Sequence, residues 1–326
     1  MSAWRYRLGE HGPVLLAIVL FLGMFTLYIA NHQAGLTANV ATTAANKGVL
    51  FALVAMAQTL PVLTGGLDLS VGMVFVMTNC VASSIVQGTP LETALGVVGV
   101  LAVGLMCGLL NGVIIVYGRL QPIITTLATG AFYYGIALSI RPTPGGDINP
   151  DFADALTGQL PGGVPAVLAL LLLVVLVVWV PWRRSVLGRA AYAIGSSEQA
   201  AYMSGVPIDR AKLLAYALSG LLASIAGLLL TCITYAGEAS APIGGGYTLN
   251  SIAAVVIGGT SLFGGAGSAI GSIFGAFVLR TVEDLLFVFD MEPLWQPLFQ
   301  GGVLLAAVSL GAFRLLRIRN RLDLYG

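Results

Sequence analysis

Long apolar runs separated by short polar breaks dominate the chain. Most are near the ~20 residues that cross a bilayer's ~30 Å hydrocarbon core as a helix. The pattern predicts about ten spans, at 13–30, 48–64, 70–87, 93–117, 122–140, 164–181, 213–235, 249–260, 269–289 and 294–313. Arg5 and Arg7 precede the first run, whose apolar stretch exceeds the ~7–15 residues of a signal-peptide core and lacks a clean cleavage site. It reads as a retained anchor helix. The expectation is an all-α integral membrane protein with broken or re-entrant glycine-rich segments.

Composition agrees with that reading. Hydrophobic residues make up 57% and charged residues 9% of 326, against roughly 25% charged for a soluble domain. Lys+Arg 15 and Asp+Glu 14 nearly cancel, so net charge supports no nucleic-acid partner. Cys80, Cys107 and Cys232 are isolated in apolar stretches, so no disulfide framework or zinc site is supported.

Where the charges sit sets the orientation, because Lys and Arg of short loops collect on the cytoplasmic side. Alternating from Arg5 and Arg7 puts Arg119, the cluster Arg183, Arg184, Arg189, Arg210 and Lys212, and Arg314, Arg317, Arg319 and Arg321 inside. Lys47, Arg141 and most acids fall outside. An odd count would strand one basic end, so both termini are placed in the cytoplasm; eight or twelve spans would obey the same constraint. The chain divides into six spans in 13–181, a cytoplasmic loop 182–212, four spans in 213–313 and a basic tail 314–326, all one transmembrane domain.

An internal echo crosses that division. GGLDLSVG (65–72) and GGTSLFGG (258–265) share a GGxxLxxG frame through Gly65, Gly66 and Gly72, and Gly258, Gly259 and Gly265, with Gly264 beside the last. Each ends one apolar run and opens the next. Paired glycines break a helix, and Asp68 or Ser70 can then cap the helix that follows. An ionisable group near membrane depth is also a functional candidate, costing at least ~2.5 kcal/mol without a partner. Both readings of Asp68 are compatible.

Within the cytoplasmic loop, Ser196 or Ser197 as N-cap, Glu198 in the first turn, Gly205 as stop and Pro207 just beyond mark a short helix. As a lone feature it could be mere connection. The only lysines, Lys47 and Lys212, lie in no GxxxxGK[ST] frame, so this chain has no P-loop. Active transport would need energy from a partner, and a short helix laid in a partner's groove can deliver it.

Three segments carry a resemblance: QTLPVLTGGLDLSVG, AIGSSEQAAYMSGVPIDRAKLLAYALSG and VVIGGTSLFGGAGSAIGSIFGA. In this order and spacing they resemble the inner-membrane permease subunits of bacterial ribose-type monosaccharide ABC importers, over about 49–313. The resemblance implies that the loop helix couples to the ATPase, with Glu198, Ala200, Ala201, Gly205 and Pro207 in its pattern. It implies a second permease copy or a sister permease, cytoplasmic ATP-binding subunits that carry the ATP and Mg, and a periplasmic sugar-binding protein. No cofactor is expected in this chain. The sequence departs from similar permeases at Arg280, Glu283 and Asp284, which stand where polar amides and threonines are usual.

A polyol crossing the membrane exchanges its hydration for donors and acceptors along the route. Candidates for that pathway are Asp68, Ser70, Asn79, Asn111, Thr129, Glu283 and Asp284, with Thr125, Thr126, Tyr133 and Tyr134 as further polar residues inside spans. Arg280 can instead neutralise Glu283 and Asp284 locally at i,i+3 and i,i+4, and most of the others can bridge helices. The outer loops 141–163, with Asp147, Asp151 and Asp154, and 234–250, with Glu238, are expected to be solvated; the first is a candidate docking patch. A secondary transporter of a small polar solute, driven by an ion gradient, is the alternative. An intramembrane enzyme lacks support, because no HExxH, GxSxG or paired His occurs.

Overall fold

Helix signals in the sequence are spaced at near-span intervals, and the computed structural model describes residues 3–292 together with 295, 298, 299, 301, 302 and 305. Helix α1 spans Ala3–Asn31, α2 Ala38–Leu63 behind the N-cap Thr37, and α3 Val71–Ile85. Helix α4, Pro90–Val116, opens on a capping box in which Thr89 and Glu92 bond reciprocally, with Pro90 in the first turn. Helix α5 runs Pro122–Ile140, and α6, Pro150–Thr157, is capped by Asn149. A two-residue antiparallel pair, β1 (Gln159–Leu160) and β2 (Val164–Pro165), leads into α7, Ala166–Val174. A π-helical turn, Val175–Trp179, joins α7 to α8, Val180–Arg184. Then follow α9 (Val186–Ser196), α10 (Glu198–Met203), α11 (Ile208–Thr234), α12 (Ala241–Ile257) and α13 (Ala269–Val288).

Six of these stretches are long and apolar enough to cross a membrane: Gly12–Asn31, α2, α4, α5, Ala166–Arg184 and α11. This is a multi-pass membrane protein. Helix α3, with 15 residues, is only about 22 Å long at 1.5 Å per residue. Its first turn accordingly lies inside the bundle, where Gly72 N donates to Thr248 Oγ1 of mid-α12 at 3.1 Å. The break 64–70 between α2 and α3 is irregular backbone that is buried at Thr64, Gly66, Asp68 and Ser70, and burial in protein is the setting in which such backbone is tolerated at membrane depth.

Helix α11 forms the centre, packed on α4, α2 and α3, while α13 packs on α2, α1 and α12. Small residues set a close crossing of α4 and α11. Gly104 and Gly108 of α4 meet Gly220 of α11, where a Cβ on Gly220 would lie 2.7 Å from Gly108 N. Apolar side chains such as Leu16, Val19, Leu105, Leu127, Leu172 and Val177 point outward, as expected where the surrounding solvent is hydrocarbon.

Three expectations need correction. The span placed at 249–260 begins at Ala241, so the segment 234–250, expected as an outer loop, is helical over more than half its length; within it Gly244 lets α12 approach Met73 and Gly72. The loop 141–163 is not merely solvated: it holds α6 and β1, which pairs with β2 just beyond it, and Ile148 and Ala153 are fully buried beside Cys232 and Val100. The loop 182–212, expected to carry one short helix, contains two, because Ser185 caps α9 and Ser197 then opens α10. The span at 294–313 and the tail 314–326 lie outside the described residues.

Candidate functional site

At one end of the bundle the two glycine turns and the loop between the halves meet. Gly65 and Gly264 take φ of +80 and +88, left-handed values that favour glycine. Gly265 N donates to Leu63 O at 3.1 Å. A Cβ on Gly264 would lie 2.8 Å from both Gly65 N and Gly195 Cα of α9. Tyr192 of α9 donates its hydroxyl to Gly267 O at 2.9 Å. Nearby, Gly258 crosses Gly271 and Gly259 abuts Pro13.

Above this junction Asp68 is buried at the α2–α3 break. Its Oδ1 accepts from Ser70 N at 3.0 Å and Ser70 Oγ at 2.6 Å, and its Oδ2 from Ser219 Oγ of α11 at 3.1 Å. The first of these is the turn by which Asp prepares a helix start. Asn111 Nδ2 of α4 donates to Ser70 Oγ at 2.8 Å, and the Tyr133 hydroxyl of α5 lies 3.0 Å from Asn111 Oδ1 and 2.9 Å from Cys107 O. Thr126 Oγ1 accepts from Leu69 N at 2.9 Å, while Thr129 Oγ1 donates back to Thr126 O at 3.4 Å. Four helices are thus tied to one carboxylate through neutral donors. Asp68, Ser70 and Asn111 come together here.

The remaining candidates stand elsewhere. Asn79 lies toward the opposite end of α3, where Nδ2 donates to Thr231 Oγ1 at 2.9 Å and Oδ1 accepts from Glu238 N at 2.9 Å. Arg280 pairs with Glu283 and, at 2.7 Å, with Asp284; Lys47 Nζ is 3.8 Å from Asp284. That cluster ties α13 to α2, with the i,i+3 and i,i+4 pairing the sequence allows. Thr125 and Tyr133 are buried on the inner face of α5, and Tyr134 is half-buried.

Ser197 Oγ accepts from Ala200 N to start α10, and Gly205 turns the chain at φ +71 before Pro207 leads into α11. Ala201 is buried against Ala190, Ile194 and Ala211, whereas Tyr202 and Met203 are 74% and 82% exposed. Glu198 Oε1 pairs with Lys212 Nζ at 2.7 Å, joining α10 to the first turn of α11.

Gln58 and Tyr216 are buried polar residues outside the candidates that the sequence offers. Gln58 of α2 is fully buried with neither amide atom hydrogen-bonded, and the Tyr216 hydroxyl of α11 also has no partner among the described residues. The signal for Gln58 was an amide within the apolar run 48–64. A buried amide without partners costs ~1–3 kcal/mol. Gln58→Leu, close in size, is therefore expected to raise folding stability by about 1 kcal/mol or more; a lowered thermal midpoint in detergent would contradict this.

Among the described residues no group of His, Cys, Asp or Glu could hold a metal, and all three cysteines are free and buried. What the arrangement offers is a membrane bundle with a broken helix at its core and a short, part-exposed helix at one end, with no catalytic or metal-binding cluster among the described residues. The family model described as "Branched-chain amino acid transport system / permease component" matches residues 40–308, and the chain belongs to that family. It is a non-catalytic permease component of the bacterial inner membrane. It is 34% identical over 316 residues to the "Probable ABC transporter permease protein y4mJ" of Sinorhizobium fredii, covering 96% of this chain and 91% of that one. It is 36% identical to the "Ribose import permease protein RbsC" of Escherichia coli K12 over 263 residues, 79% and 80% of the two chains. The "Fructose import permease protein FrcC" of Rhizobium meliloti is 32% identical over 311 residues, 90% and 83%. No solved structure matches the chain.

Proposed function

We propose that this chain is the translocation subunit of an ATP-driven monosaccharide importer. In this reading the single permease domain has about ten spans, both termini and the α9–α10 end face the cytoplasm, and the α2–α3 break is a re-entrant segment. Cytoplasmic ATP-binding subunits dock on α10 through Tyr202 and Met203, a periplasmic sugar-binding protein delivers cargo to the opposite end, and a second permease copy or a sister permease completes the pathway.

The observation that carries this is the joining of α10 to the bundle core along one helix. Glu198 holds Lys212, and the same helix, seven residues on, holds Asp68 through Ser219. Force applied at α10 reaches the helix break without crossing flexible chain. A sugar cargo is supported by two of these relatives, which are named for ribose and fructose import. Chemistry supports it too. A zwitterionic amino acid needs both of its charges countered, yet Asp68 has three internal donors and Arg280 is paired with Glu283 and Asp284.

Reconstitution in vesicles tests the reading. With ATP-binding subunits and binding protein added, sugar uptake should require ATP; accumulation by the chain alone on a proton or sodium gradient would overturn it. Gly205→Val forces a β-branched residue into a left-handed conformation, a local cost of ~1–3 kcal/mol, at a position with nothing within 4 Å. The variant should reach the membrane normally but consume ATP without sugar uptake. Uptake equal to the unaltered complex would contradict a coupling role for the α10 turn.

A further inference from the structure

The helical stretch Ala166–Arg184, which is α7, the π-helical turn and α8 in succession, buries one side and exposes the other. For most of its length the exposed side is apolar, with Leu172, Leu173, Leu176 and Val177 between 55% and 64% exposed. It continues through Pro181 and ends on Arg183 and Arg184, and Arg189 is exposed in the first turn of α9 just beyond. On the buried side Trp179 and Trp182 pack with ring centroids 5.3 Å apart. Ser185 N donates to Pro181 O and Trp182 O, both at 3.0 Å, which fixes the turn on which the arginines stand.

These guanidinium groups lack a counter-charge. Among the described residues Arg183, Arg184 and Arg189 form no ion pair or hydrogen bond, and the chain from 155 to 197 contains no Asp or Glu. Helix α9 packs on α11, α10, α8 and α2. The acids of these elements are Glu198, already held by Lys212 at 2.7 Å, and Asp209, with Arg210 next to it in the chain. Like charges that face outward unneutralised attract an anion from outside the chain. The surroundings select which anion. Val177 lies seven residues before Arg184, about 10 Å along the helix, so a free phosphate would meet the charges alone, whereas a phospholipid matches both: acyl chains on the apolar side and a phosphate at its end. The 11 residues of α9, about 16 Å of helix, separate Arg184 from α10 with its exposed Tyr202 and Met203.

We propose that the end of this helix is a binding site for an anionic glycerophospholipid, with an acyl chain along Leu172, Leu176 and Val177 and the phosphate held by Arg183 and Arg184. A guanidinium fork gives a phosphate two N–H donors at once. A headgroup of net negative charge is preferred to a zwitterionic one, which brings its own cation to the arginines. Because α8 leads into α9 through a single residue, and α9 packs on α10 and α11, a headgroup held here also sets where α9 meets the bilayer surface. The site depends on the membrane-spanning character of this helix and not on the importer reading.

The test is native mass spectrometry of the full chain in detergent with equimolar phosphatidylglycerol and phosphatidylcholine of matched acyl chains. A cation at a charged membrane surface is worth about fivefold in binding. The phosphatidylglycerol-bound form should therefore exceed the phosphatidylcholine-bound form at least about fivefold. Arg183→Gln with Arg184→Gln should bring the two forms close to parity without moving the thermal midpoint; Arg184→Gln alone serves if the pair misassembles. Arg119→Gln with Arg210→Gln removes two exposed charges that lie off this helix and should leave the ratio unchanged. Equal retention of the two lipids by the unaltered chain, or an equal fall in both double variants, overturns the site. A ratio that survives loss of Arg183 and Arg184 overturns it too, and lost binding of ATP-binding subunits by that variant would then assign the arginines to that partner. The lipid ratio involves no ATP and no uptake, so its failure and the failure of the importer reading are separate results.

Discussion

Asp68→Ala is expected to abolish sugar uptake by the assembled complex and to lower folding stability by about 2–4 kcal/mol. The buried carboxylate takes three hydrogen bonds, from Ser70 N, Ser70 Oγ and Ser219 Oγ. The two hydroxyls can turn to other acceptors, but the Ser70 amide cannot, and a buried N–H left unpaired costs ~1–3 kcal/mol by itself. The link between α11 and the start of α3 goes with it. Asp68→Asn separates shape from charge. All three donors are neutral, so one amide oxygen can keep Ser70 N while the amide NH₂ donates to Ser219 Oγ. That variant should keep most of the stability and transport within about tenfold of the unaltered complex, a difference of ~1.4 kcal/mol. Thermal unfolding in detergent and uptake in vesicles read both. Normal uptake and an unchanged midpoint for Asp68→Ala would remove Asp68 from the coupling path.

That prediction combines what the sequence shows with what it hides. GGLDLSVG announces a helix break with an acidic residue poised to cap, because glycine pairs and short-range Asx turns are local. Ser219, 151 residues away, is set by how α11 packs, and no local pattern encodes it. The same division runs through the rest of the molecule. Arg280, Glu283 and Asp284 are legible as a neutralised cluster because their partners sit three and four residues apart, whereas the link to Lys47 on α2 is tertiary. Long spans are legible because hydrocarbon thickness imposes their length. The start of α12 at Ala241 is not, because PIGGG carries turn chemistry and is made helical only by the close approach of α3 at Gly72. Gly205 follows from a stop signal that works within one turn; Gln58 and Tyr216 stand out only once burial is known. Local chemistry places the parts of the site, and packing decides which of them touch.

Packing also predicts the most damaging single change outside the polar network. Gly220→Val should prevent stable assembly of the bundle, costing ~3 kcal/mol or more. Helices in a bilayer gain little from hiding apolar surface, so close backbone approach at small residues supplies much of their attraction. Here Gly104 and Gly108 of α4 let α11 approach so closely that a Cβ on Gly220 would lie 2.9 Å from Gly108 Cα, and the opposing contacts are backbone atoms that cannot swing aside. The helices would have to separate. Ser219 is the residue next to Gly220 on α11, so that separation would also draw Ser219 away from Asp68. Gly135→Val is the matched control: Gly135 lies on the exposed face of α5 with nothing within 4 Å, and the change should stay within ~0.5 kcal/mol. The amount of folded protein in the membrane and its thermal midpoint distinguish the two. A Gly220→Val protein as stable as the Gly135→Val one would mean that the α4–α11 crossing is not what holds the helix break and the contact helix in one rigid unit.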